Sequence, residues 1–169
     1  MELGEIQELQ FAVDLALDPV ATVVFKATRG IEEVARTTSV VIDARTGAGR
    51  EDLRALLDDA DVLVDNARAA TARKIGVDRD AIRAAHPRLI HCSITGYGQE
   101  GPDADRAGHD LNFVAETGLL SYDVTGRTAP SMPRMFIADV GGGAMSGVIG
   151  ILAALVARGR TGDGAFIDI

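Results

Sequence analysis

Between residues 106 and 121 the chain reads RAGHDLNFVAETGLLS, an otherwise apolar stretch that carries His109, Asp110 and, three residues after the histidine, Asn112. Buried polar groups are costly unless paired, so this cluster needs either hydrogen-bond partners or a chemical task. Imidazole is the side chain best suited to moving protons near neutrality, yet a lone histidine in an apolar helix is more often a satisfied structural residue. Asp139 poses the same choice. It stands just ahead of Gly141, Gly142 and Gly143, and an aspartate before a glycine-opened helix is a common capping pattern as well as a possible base.

The elements that must position these groups alternate along the chain. VATVVF (20 to 25), SVVID (39 to 43), DVLVD (61 to 65) and RLIHCSITG (88 to 96) read as strands buried on both faces, being short, β-branched and almost continuously apolar. GREDLRALLDDA (49 to 60) places Leu53, Leu56 and Leu57 on one helical stripe, and DRDAIRAAHP (78 to 87) opens on an acidic cap and stops at Pro87. Strands separated by single helices predict an α/β fold, a Rossmann-like parallel sheet with right-handed crossover helices. Ligands bind such sheets beyond the carboxyl ends of the strands. DNAR (65 to 68) and TGYGQEGP (95 to 102) both follow strands and so belong to that edge. After a connector, TGRTAPSMP, a long Gly-opened helix is expected to run to about Arg158 and stop at Gly159. Its small residues Gly143, Ala144, Gly147 and Gly150 leave one side nearly flat. AFIDI then reads as a strand with no later partner.

Composition narrows the function classes. The 169 residues are 47% hydrophobic with a net charge of −8, which fits one packed domain and argues against non-specific nucleic-acid binding, which requires a basic face. Cys92 is the single cysteine, so neither an internal disulfide nor a thiolate metal cluster is available, and no metal site is expected. The start, MELGEIQELQ, lacks a basic segment followed by an apolar one. The apolar run at 144 to 156 is interrupted by Ser146, Gly147 and Gly150 and is shorter than a membrane span. A cytoplasmic protein without membrane or nucleic-acid partners is the expectation. His86 at a helix end, and His91 and Cys92 in a strand, read as structural.

From SVVID through ADVLVDNAR, HPRLIHCSITGYGQEGP and AGHDLNF to ADVGGGAMSGVIGILAALVARGRTGDGAFID, the chain resembles the amino-terminal part of the family III CoA-transferase superfamily, closest to its α-methylacyl-CoA racemase branch. A looser match sets ELGEI, FAVDLAL and VVFKA at the family's first strand, first helix and second strand. The resemblance implies that residues 1–169 form a truncated CoA-binding large domain, with a smaller carboxy-terminal domain beyond residue 169. It also implies a homo-oligomer, or a complementary subunit that supplies the missing half.

What the resemblance implies about chemistry is specific. Transferases of the superfamily use the aspartate at the position of Asp139 to form an acyl anhydride. Racemases keep it and add a histidine at the position of His109. Having both favours an isomerase of lipid metabolism that racemises 2-methylacyl-CoA thioesters. Inverting such a carbon requires a base on one face and an acid on the other, with an enolate between them. Backbone N–H groups at the start of the glycine-opened helix are the expected donors to the enolate oxygen. The acyl-CoA is the substrate and no separate cofactor is implied. Asn66 and Arg68 lie where the family binds CoA, Arg being apt for phosphate. Tyr97, Gly98, Asp110 and Asn112 complete the expected CoA-binding set. A CoA-transferase using Asp139 as nucleophile, and a non-catalytic fragment that keeps the fold, remain the alternatives.

Overall fold

The structure, a computed structural model, describes residues 12–15, 20–25, 39–123 and 133–169. Six strands form one sheet: β1 (Ala12–Leu15), β2 (Val20–Phe25), β3 (Ser39–Val41), β4 (Val62–Asp65), β5 (Ile90–Ser93) and β6 (Ala165–Asp168), in the order β3-β1-β2-β4-β5-β6. The helices are α1 (Gly47–Asp58), α2 (Ala69–Ile75), α3 (Arg79–Ala85), α4 (Asp110–Glu116) and α5 (Ser146–Thr161). A 3₁₀ turn covers Leu119–Asp123, and a π-helical segment, Ile137–Met145, leads directly into α5.

The half of the sheet that carries the site is the expected parallel array. β4, β5 and β6 run parallel, with Leu63 opposite His91 and His91 opposite Phe166. The crossover from β4 to β5 is made by α2 and α3, and that from β5 to β6 ends in α5. Leu63 packs in a core with Leu53 and Leu57 of α1, Ala72 and Ile75 of α2 and Ile82 of α3. On the opposite face, α5 lies so close that a Cβ on Gly147 would sit 3.5 Å from Cys92 Sγ, and one on Gly150 3.0 Å from Ile167. Helices therefore cover both faces, and the flat side that the small residues give α5 is turned to the sheet. Arg158 ties the far end of α5 to the start of β4 and β5, its guanidinium bonding the Asp61 carboxylate at 2.6 Å and the carbonyls of Asp61 and Arg88.

Local signals explain the well-read helices. Thr46 Oγ1 accepts the Gly49 N–H at 3.0 Å to open α1, and Asp78 Oδ1 accepts the Ala81 N–H at 3.2 Å to open α3, each satisfying a donor that the helix cannot.

Several expectations are corrected. Part of FAVDLAL is β1, a strand and not a helix. β2 runs antiparallel to β1, because the four residues between them are too few for a parallel crossover, and it is antiparallel to β4 as well. AFIDI is a strand, as expected; it pairs along the preceding β5 and forms the sheet edge. The long helix starts after Phe136, so Asp139 lies within its first turn and is not its cap. It stops at Gly162 (φ +82°), three residues beyond Gly159. Taken from Ile137 to Thr161 it is 25 residues and contains an 18-residue stretch of mean hydropathy 2.0, long and apolar enough to cross a membrane by length and composition alone. Val148, Ile149, Leu152 and Val156 on this helix are exposed. The proposed first strand, ELGEI, lies outside the described residues.

Candidate functional site

Beyond the carboxyl ends of β4 and β5 opens a cleft of about 840 Å³. Its floor is Ile94, Thr95 and Gly96, where β5 ends. One wall is the loop through Arg106, Gly108 and His109 into α4, and another is Ile137, Asp139, Gly142 and Gly143 of the π-helical segment. Asn66 and Arg68 reach it from the turn after β4. Parallel strands deliver their following loops to one edge, which is why four segments distant in sequence meet there.

Four of the eight singled-out residues line this cleft: Asn66, Arg68, His109 and Asp139. His109 and Asp139 are exposed and belong to different elements. No ion pair or hydrogen bond joins their side chains among the described residues. Arg68 gives one guanidinium N–H to the Asp105 carbonyl at 3.1 Å, while the Asp105 carboxylate accepts the Ala70 N–H at 2.8 Å and so closes the start of α2. A second guanidinium, Arg106, lines the cleft and is held 2.6 Å from Glu116.

Comparison with known proteins gives this geometry a context. The family model of CoA-transferase family III matches residues 33–169. The chain belongs to CoA-transferase family III. It is 35% identical to human alpha-methylacyl-CoA racemase over 130 residues, covering 77% of this chain and 34% of the racemase. It is 37% identical to the succinate–glutarate CoA-transferase of Agrobacterium fabrum, covering 78% of this chain and 32% of that enzyme. Among solved structures, a CAIB/BAIF family protein from Brucella suis is similar with a TM-score of 0.69 at 40% identity, over 78% of this chain and 35% of that one. The family III chain thus spans about a third of the length of these relatives.

The other four singled-out residues of this family III chain do not line the cleft; they hold its walls. Asn112 Oδ1 accepts the His109 N–H at 3.0 Å, fixing the histidine at the entry to α4. Asp110 is buried and accepts the Asp139 N–H at 2.8 Å. That first-turn N–H is therefore satisfied from within the protein. Tyr97 donates to Glu116 at 3.1 Å and meets Phe113 edge-on with ring centroids 5.3 Å apart. Desolvation and the Glu116 hydrogen bond hold its phenol above the ordinary range. Gly98 turns the chain with φ +77°, a conformation that favours glycine. The Gln99 N–H that follows is accepted by Asp168 at 2.9 Å.

A buried polar network beneath the cleft escaped the sequence reading. Asp65 and His91 are 1% and 3% exposed, and His91 Nε2 lies 2.6 Å from Asp65 Oδ2. Asp65 Oδ1 accepts the Ala67 N–H at 2.8 Å. Gln99 Nε2 donates to the Ala67 carbonyl and to Ser93 Oγ. These bonds pin the Asn66–Arg68 turn to the loop after β5. The signal was legible as polar residues at the ends of apolar strands, DVLVD and IHCS, which persist in a core only when paired.

Proposed function

We propose that this chain carries the two-base site of an acyl-CoA racemase, with CoA entering as part of the substrate. What supports the reading is a single juxtaposition: His109 and Asp139 line one cleft from two different elements without pairing to each other. The similarity to a racemase stands beside it. In one direction one base takes the α-proton of a 2-methylacyl-CoA, and the electron pair passes to the thioester oxygen as an enolate. The other group, protonated at the outset, returns a proton to the opposite face. In the reverse direction the roles exchange. Arg68 and Arg106 would receive the anionic CoA phosphates, since planar guanidinium groups suit them.

The experiment is α-proton exchange in deuterated water with each enantiomer of a 2-methylacyl-CoA. His109→Ala and Asp139→Ala should each cut turnover by about 10²–10⁴-fold, as expected for removing a general acid or base. Exchange should fall more severely from one enantiomer in the first variant and from the other enantiomer in the second. Equal, mild losses with both would overturn the two-base assignment. The similarity to a succinate–glutarate CoA-transferase favours a second reading, in which Asp139 attacks the thioester to form an acyl anhydride. Capture of an acyl hydroxamate by hydroxylamine, abolished in Asp139→Ala and retained in His109→Ala, would select it.

A further inference from the structure

We infer that Asp110 is a positioning residue that sets the spacing of His109 and Asp139, an inference that rests on the two-base reading above. Asp110 is only 6% exposed. A carboxylate buried to that degree persists only where hydrogen bonds replace its water. Its Oδ2 accepts the backbone N–H of Asp139 at 2.8 Å, across 29 residues of sequence.

Both ends of this bond are informative. Asp139 is the third residue of the π-helical segment Ile137–Met145, where a backbone N–H has no partner within its own helix. An acceptor from elsewhere must therefore be found or the group is left unsatisfied. Asp110 supplies it with a carboxylate at the positive end of a 25-residue helical run, a placement that the helix dipole favours. At the other end, Asp110 opens α4 and directly follows His109. The Cα atoms of adjacent residues are fixed about 3.8 Å apart by the trans peptide. One residue is thus covalently joined to the first cleft base and hydrogen-bonded to the main chain of the second.

This is a direct connection between the two bases. Neither base lies on a strand, so the sheet does not set their separation. α4 has only seven residues and touches the π-helical segment. With the carboxylate removed, the wall bearing Asp139 keeps its fold but loses its register to α4. A displacement of about 1 Å between reacting groups costs on the order of 10²-fold in rate.

The test uses the full chain with a 2-methylacyl-CoA as probe and hydrogen exchange as a second readout. Asp110→Ala should lower kcat about 10–100-fold while KM changes less than about threefold, because the bond orients a base and does not touch the CoA. Asp110→Asn keeps an oxygen acceptor of the same reach and should recover most of the loss. Independently of turnover, the Asp139 amide should exchange slowly in the wild type and in Asp110→Asn, and rapidly in Asp110→Ala. A raised KM with unchanged kcat would make Asp110 a substrate contact and overturn the inference. So would rapid exchange of the Asp139 amide in the wild type, a result that needs no variant to fold. If His109→Ala and Asp139→Ala both leave turnover intact, the two-base reading fails, while the exchange comparison still decides whether Asp110 holds Asp139.

Discussion

Gly142→Ala should make the protein more stable and its cleft worse. Gly142 has an ordinary negative backbone φ, and a Cβ built on it meets nothing within 4 Å, so the fold does not require glycine there. Glycine inside a helix costs about 0.5–1 kcal/mol relative to alanine through its extra unfolded-state freedom. For a chain of this size each kcal/mol moves Tm by about 2–4 °C, which gives an expected rise of about 1–4 °C. Yet Gly142 lines the cleft, where an added methyl takes space from a ligand. A tenfold loss of acyl-CoA affinity would correspond to about 1.4 kcal/mol. Gly141 is the control: its Cβ would also meet nothing and it is not among the residues lining the cleft, so Gly141→Ala should gain stability and keep affinity. Thermal unfolding by circular dichroism and calorimetric titration with acyl-CoA measure the two effects. A fall in Tm for Gly142→Ala, or an affinity equal to that of Gly141→Ala, would refute the argument that this glycine is kept for the ligand.

Cys92 is buried, and burial first, then the Asp65 and Asp168 carboxylates, push its thiol up to about 11. Only about one thiol in a thousand is then ionised at pH 8, so iodoacetamide should label the folded chain negligibly and the urea-unfolded chain promptly at one site; prompt labelling of the folded chain would contradict this. Asp65→Ala should lower stability by about 3–5 kcal/mol in urea titration, because it strands His91 in a site 4% exposed and removes the acceptor of the Ala67 N–H. A loss below about 1 kcal/mol would show the pair to be dispensable.

The parts of the fold that could be read from sequence are those fixed by local pattern. DVLVD and RLIHCSITG are short, mostly apolar runs rich in strand formers, and they contain β4 and β5, the second run extending past its strand at both ends. The stripe of Leu53, Leu56 and Leu57 and the cap at Asp78 place α1 and α3 within two residues at every end. FAVDLAL carries no such decision. A short apolar run fits a buried helix or strand equally well until its neighbours are known, and pairing with β2 and β3 makes it a strand.

The site divides along the same line. His109 and Asp139 could be picked out because an imidazole and a carboxylate in apolar surroundings are conspicuous, and the resemblance to family III assigned them a role. The use of Asp110 was not legible, because its partner is a backbone N–H with no side-chain signature. The start of the long helix was misread for the same reason. A local rule assigns the cap to the nearest aspartate, Asp139, whereas the acceptor for that turn arrives from Asp110 in another helix. Once a distant carboxylate satisfies the first turn, the helix is free to begin further upstream, among the apolar residues after Phe136. Asp139 is thereby released from capping its own helix, and its carboxylate is left to face the cleft.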